Sequence, residues 1–194
     1  MKWGVVALVV LVILALFVGG SLFSAYNGFV AKQEAVNAQV GQLQNVLQRR
    51  SDLIPNLVQT VKGYASHESE TLEAVVQARA NATRPEINVK DAEGLSEFIK
   101  AQDQFSSAIA RLMVVVENYP QLKADEQFNR LMDELSGTEN RISVERKRYN
   151  DIAREYNTAI RRFPAAIVAN AAGFQAFPYF EASAQAQEAP KVQF

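Results

Sequence analysis

Fourteen consecutive apolar residues, Val5 to Val18, constrain this chain more than any other feature. Trp3 and Gly4 precede them, Gly19, Gly20, Ser21, Leu22 and Phe23 follow, and no charge lies between Trp3 and Phe23. A helix over that stretch reaches about the twenty residues needed to cross a hydrocarbon core of roughly 30 Å, and it satisfies its own backbone hydrogen bonds where water is absent. The sequence after it is far more polar. The expected layout is therefore one membrane span within residues 1–25, touching lipid through residues 3–23, and one water-soluble body. A cleaved secretory signal is the competing reading. Against it, the run is at the long end for a signal core, and Val18-Gly19-Gly20 is a poor match to a small-residue cleavage site. A cut after Ala25 would put bulky Phe23 where a small residue is wanted, and no cysteine is present to carry a lipid. Lys2 before the span and Lys32 after it bias the chain weakly towards a cytoplasmic amino terminus and an exported body, so the side of the membrane stays open.

Beyond the span, about 170 residues suffice for one domain with a real core. Lys plus Arg number 20 and Asp plus Glu 21, interleaved along the chain. Such a near-neutral body lacks the basic field of a nucleic-acid binder, and no nucleic-acid partner is expected. The absence of cysteine excludes disulfides, thiolate catalysis and thiolate metal sites, and His67 is the one histidine.

From Tyr26 to Arg50, the residues Phe29, Val36, Val40, Leu43 and Leu47 form an amphipathic stripe. Arg49, Arg50, Ser51, Asp52 and Pro55 then read as a helix end followed by a new start, since basic residues suit a C-terminus and serine or aspartate an N-cap. A second stripe, Ile54, Leu57, Val61, Tyr64, Leu72 and Val75, runs to about Ala82 in register with the first. Residues 83–90 read as a loop, with Asp91 as the N-cap of the next helix. Leu95, Phe98, Gln102, Phe105, Ile109, Leu112 and Val116 define that helix, which ends near Tyr119, before Pro120. The longest pattern is Phe128, Leu131, Leu135, Thr138, Ile142, Glu145, Tyr149, Ile152, Tyr156, Ala159 and Phe163, a heptad seam closed by Pro164.

Segments 26–50, 53–82, 91–118 and 122–163 would span roughly 37, 45, 42 and 62 Å as helices. The favoured fold is all-α, a transmembrane helix followed by an antiparallel up-and-down four-helix bundle over residues 26–164. The alternative is three helices with a long kinked first one, whose uncovered apolar stripe would demand oligomerisation. Residues 165–194 form a tail. Phe174, Phe177, Tyr179 and Phe180 either sit at the membrane interface or plug the open end of the bundle. The Ala/Gln-rich stretch from Glu181 to Pro190 is expected to be mobile.

Several of these stretches carry a family likeness. Tyr26-Asn27-Gly28-Phe29-Val30, Arg49-Arg50-Ser51-Asp52-Leu53-Ile54-Pro55-Asn56-Leu57-Val58, Glu117-Asn118-Tyr119-Pro120-Gln121-Leu122-Lys123-Ala124, Gly137-Thr138-Glu139-Asn140-Arg141-Ile142, Tyr149-Asn150 with Tyr156-Asn157, and Arg162-Phe163-Pro164 stand in this order along nearly the whole chain. In order and spacing they resemble the LemA family of bacterial membrane-anchored proteins. The resemblance implies an N-terminal anchor, a four-helix bundle and no assigned reaction. It also implies, by analogy, a link to magnetosome membrane formation in some members, and a cytoplasmic body that opposes the weak charge bias.

Catalytic constellations are not evident. His67 and Glu70 are one helical turn apart and could share a metal, but di-metal bundles repeat the Glu-x-x-His pattern and no second histidine exists. A solvated histidine is expected. Ser66 beside His67 makes no nucleophile and base pair, because adjacent helical residues diverge. No glycine-rich phosphate loop is present. No catalytic, metal or cofactor residues are therefore assigned. Thr138 and Glu145 occupy seam positions where leucine is expected, and a buried carboxylate needs a partner. If the first and last bundle helices are antiparallel, Arg49 and Arg50 come level with Glu139, and an ion pair from one of them is expected to fix register. Tyr149 and Tyr156 should bury their rings and send their hydroxyls to polar partners. The function expected is that of a non-enzymatic, single-pass membrane scaffold or adaptor, a homo-oligomer with an unidentified protein partner. The alternative is a membrane-shaping or envelope-organising protein, and a metal-dependent enzyme ranks below both.

Overall fold

The computed structural model describes residues 2–83 and 92–181. Of the expected loop at 83–90, Thr83 ends a helix and the rest lies outside them, as do the Asp91 cap and the tail beyond Glu181. Every regular element described is helical: α1 (Lys2–Tyr64), α2 (Ser69–Thr83), α3 (Ala92–Val116), α4 (Pro120–Lys123), α5 (Glu126–Arg161) and α6 (Ala165–Ala171). The chain divides into two compact units, one of Met1–Ala38 with Asp151–Phe177, the other of Gln39–Asn150 with Pro178–Phe194.

In the second unit, Leu53, Ile54, Leu57 and Val61 of α1 meet Leu72, Val75 and Ala82 of α2, Phe105, Ile109, Leu112 and Val116 of α3, and Phe128 and Leu135 of α5 in one core. Cross-links along the helices set their directions. Arg79 reaches Ser51 and Tyr64 reaches Asp125, so α2 and α5 run against α1, while Arg50 to Ser106 and Glu68 to Tyr119 place α3 parallel to it. This is the up-and-down four-helix arrangement. The seven residues of the α3 stripe, Leu95 to Val116, are the seven that helix buries.

The first reversal, however, is not at Arg50–Leu53. Helix α1 continues through Pro55, and the chain turns at Ala65–Glu68, closed by the amide of Glu68 donating to the Ala65 carbonyl at 3.1 Å. Neither expected version of the first two helices holds, since the kinked alternative ran unbroken to Ala82. Proline inside a helix removes one hydrogen bond and leaves the carbonyl four residues back without its donor. For Pro55 that carbonyl belongs to Ser51, and Arg79 Nε of α2 donates to it at 2.7 Å. A tertiary contact thus supplies what the local sequence lacks. His67, expected on a helix, lies exposed in the turn that results.

In the first unit, Phe29 and Val36 of α1 are buried together with Ala153, Tyr156 and Ile160 of α5. Lys32 Nζ lies 3.4 Å from Glu155 Oε2, and since Gln39, later on α1, meets Glu145, earlier on α5, the two helices are antiparallel. The expected seam drifts here. Past Tyr149, α5 buries Ala153, Tyr156 and Ile160 rather than the expected Ile152 and Ala159, while Phe163, beyond the end of α5, is 81% exposed. A straight α-helix turns about 20° per heptad away from a strict seven-residue repeat, which is the physical reason. At the start of the expected tail, residues 165–171 form α6. From Trp3 to Ser24 every residue of α1 is exposed, and α1 is the one described helix long and apolar enough to cross a membrane.

Candidate functional site

Arg50 is the largest fully buried side chain of the second unit, 1% exposed. A guanidinium stays charged when buried, so it needs partners for its donors. Its Nη1 donates to Glu139 Oε1 at 2.6 Å and to Ser106 Oγ at 3.2 Å, its Nη2 donates to Gln102 Oε1, and its Cζ lies 4.8 Å from the centre of the Phe105 ring. Gln102, a polar residue on the buried stripe of α3, passes the connection on by donating Nε2 to the Ala82 carbonyl of α2 at 2.9 Å. One arginine on α1 therefore ties together α2, α3 and α5. Arg49, one position along, projects outward and pairs with Glu134. Nearby, Arg146 of α5 is depressed below the usual arginine range, first by burial and further by the charge of Arg50, against the opposing pull of Asp103 and Glu139. Among the described residues, Arg50 Nε, Ser51 Oγ and Arg146 Nε are buried without a hydrogen-bond partner.

The polar residues of the α5 seam have hydrogen-bond partners of their own. The Thr138 hydroxyl donates back to the Glu134 carbonyl at 2.7 Å. Glu145 accepts from Gln39 Nε2 at 2.7 Å and pairs with Arg148 at 2.8 Å. Asp125 caps α5, accepting from the Phe128 amide at 2.8 Å and from the Tyr64 hydroxyl at 2.8 Å, and these two donors hold its carboxyl below the usual range.

The aromatic segment after α6 is held by a device used once in each unit. In the first, Asn157 donates Nδ2 to the Phe177 carbonyl and accepts the Phe177 amide, both at 2.8 Å, while the rings of Tyr156 and Phe177 lie 5.0 Å apart. In the second, Asn150 does the same for Phe180, both bonds at 2.8 Å, and the rings of Tyr149 and Phe180 lie 4.9 Å apart, edge to face. A carboxamide is suited to this, because one side chain offers both a donor and an acceptor to a single extended residue. The Tyr149 hydroxyl adds a bond to the Pro178 carbonyl at 3.0 Å. Its burial, with the neighbouring Tyr179, pushes its pKa up. Phe177 and Phe180 are thus buried on protein, Phe174 is half-buried against Tyr26 and Phe29, and Tyr179 is 43% exposed.

A model of the LemA family matches residues 39–194. The chain belongs to the LemA family. This LemA-family chain is similar to the magnetosome protein MamQ of Magnetospirillum gryphiswaldense, 26% identical over 179 residues, with 82% of this chain and 66% of that protein covered. It is likewise similar to magnetosome protein MamQ 2 of Paramagnetospirillum magneticum, 27% identical, with 83% of this chain and 66% of that one covered. Protein LemA of Metamycoplasma hominis is 24% identical, with 81% and 69% covered. The matches with the two magnetosome proteins span just under two thirds of the length of those relatives.

What this LemA-family arrangement can do chemically is set by its groups. Arg50 is a permanent cation whose Nη donors are engaged inside the bundle, which suits it to fixing the register of four helices. Among the described residues, no three of His, Asp or Glu gather at spacing fit for a metal. Sequence reasoning missed Arg79 altogether and the hydrogen-bonding roles of Gln102, Asn150 and Asn157. For the last two a signal existed, since Tyr-Asn recurs at seven residues in α5 and Phe at three in the segment 174–180. Seven helical residues and three extended ones both rise about 10 Å.

Proposed function

We propose that this chain is a non-enzymatic, single-pass membrane protein whose helical body works as a scaffold or adaptor, assembled as a homo-oligomer and engaging a further protein. The observation that carries the proposal is the exposure of every residue from Trp3 to Ser24 on α1. Apolar surface left in water costs about 25 cal/mol per Å² relative to burial, and a bilayer removes that cost along the whole stretch. Membership of the LemA family and the likeness to proteins named for the magnetosome support association with a membrane. The polar groups of the second unit support a structural role, because Arg50, Gln102, Glu139 and Glu145 are engaged with one another or with neighbouring helices. Membranes washed with alkaline carbonate should retain the protein, and the detergent-solubilised chain should have a mass several times 21.5 kDa. Release by carbonate would remove the anchor, and a monomer would remove the self-assembling scaffold.

A second reading, membrane shaping or envelope organisation, draws on the MamQ likeness. Its test is the shape of vesicles carrying the reconstituted full-length protein. Tubulation or a narrowed size distribution supports it, and vesicles indistinguishable from empty ones leave the scaffold alone.

A further inference from the structure

The end of α5 in the first unit carries surface that neither the core nor the Asn157 clamp uses. Since Lys32 is level with Glu155 and the helices are antiparallel, each step along α5 descends one step on α1. Phe163, eight residues beyond Glu155, therefore comes level with about Ser24, one residue past the apolar stretch that ends at Phe23. The chain then forms α6 and returns at Phe174, whose ring lies 5.5 Å from that of Tyr26 and 5.4 Å from that of Phe29. Both ends of the turn 162–173 are thus placed where α1 leaves its apolar stretch. Within the turn, Phe163 is 81% exposed and Ile167, four residues on, 61% exposed. Arg161 and Arg162 beside them are exposed and, among the described residues, stand outside every ion pair.

We propose that the turn from Arg161 to Ala171 is a second contact with the bilayer that holds α1. Phe163 and Ile167 enter the interface, where aromatic side chains are at home. Arg161 and Arg162 lay their stems along it and offer guanidinium donors to lipid phosphates. Two features argue for lipid as the occupant. The patch is continuous in level with the exposed apolar stretch of α1, and its flanking charges complement a phosphate surface. With two points of attachment, the tilt of the first unit against the bilayer is restricted. The proposal rests on α1 lying in a bilayer, and its test keeps the two failures apart.

Trp3 is the one tryptophan in the chain. Full-length protein is reconstituted in vesicles of phosphatidylcholine and phosphatidylglycerol that contain lipid spin-labelled near the headgroup. Wild-type emission reports α1, and Trp3→Phe combined with Phe163→Trp moves the reporter to the turn. The second contact predicts that labelled lipid quenches most of the emission from position 163 and that this emission is blue-shifted. Ile167→Trp in the same background should behave alike, which guards against one substitution disturbing the fold. If Trp3 is quenched by labelled lipid while both turn positions are quenched only by aqueous iodide, the second contact is overturned and the anchor stands. If Trp3 itself is untouched by labelled lipid, α1 is not in the bilayer and both proposals fall.

Discussion

Between Trp3 and Phe23, α1 turns valine, leucine, isoleucine and phenylalanine outward and carries no charge, whereas between Arg50 and Val61 the same helix buries its apolar residues together with a guanidinium. Backbone conformation is the same in both stretches, so helix formation explains neither pattern. The difference lies in what surrounds the helix. An apolar surface with no protein partner calls for an apolar solvent, and a buried cation calls for acceptors supplied by other helices. In the second stretch those acceptors come from α3 and α5, and the carbonyl left over by Pro55 is met from α2.

The largest expected effect is at the buried charge. Arg50→Ala leaves Gln102 and Glu139 facing a cavity and should cost about 3 to 5 kcal/mol in denaturant unfolding of the detergent-solubilised chain. Arg50→Met combined with Glu139→Leu should recover most of that loss, because replacing both members of an ion pair by well-packed apolar side chains commonly costs little. If the double replacement is as damaging as Ala, the pair does more than fix register. Next in size is the converse change in the exposed stretch. Ile13→Arg puts a charge near the middle of the apolar run and should disfavour membrane insertion by about 3 kcal/mol, read as the fraction of protein recovered with membranes. An unchanged membrane fraction would place α1 outside lipid and erase the contrast.

A smaller effect tests how the helix passes Pro55. Arg79→Ala strands the Ser51 carbonyl and should cost about 2 kcal/mol. Adding Pro55→Ala restores the amide donor and should return most of it. Additive losses in this double-mutant cycle would show that Arg79 acts elsewhere. The smallest effect is at Tyr149, where Tyr149→Phe removes one hydrogen bond worth about 1 kcal/mol at neutral pH. Burial raises the pKa of this phenol in the folded chain, so its contribution is complete below the unfolded value of about 10 and is lost as pH rises beyond it. Stability of the wild type should therefore fall more steeply on the alkaline side than that of the variant. Equal slopes would mean that the phenol reaches water in the folded state.

Periodicity was enough to name all seven buried residues of α3 and most of the seam of α5, because side chains at threes and fours must share one helix face whatever packs against it. Local signals failed where the answer lay on another element. Ser51, Asp52 and Pro55 carry real preferences for ending one helix and starting another, and a donor twenty-eight residues away overrode them. Arg49 and Arg50 stood as equal candidates for Glu139 in the sequence. The rotation of α1 in its bundle decided that Arg50 points inward to Glu139 and Arg49 outward to Glu134. The aromatic segment had no period to follow, so its place depended on two asparagines of α5 that offer donor and acceptor to an extended backbone. By itself, then, the sequence determined most of the helices, their apolar faces and the uncharged apolar stretch of α1, since each depends on the spacing of neighbours along one chain. Only the tertiary structure decided where α1 ends, which arginine is buried and what holds Phe177 and Phe180, since each depends on a hydrogen-bond partner supplied from elsewhere in the fold.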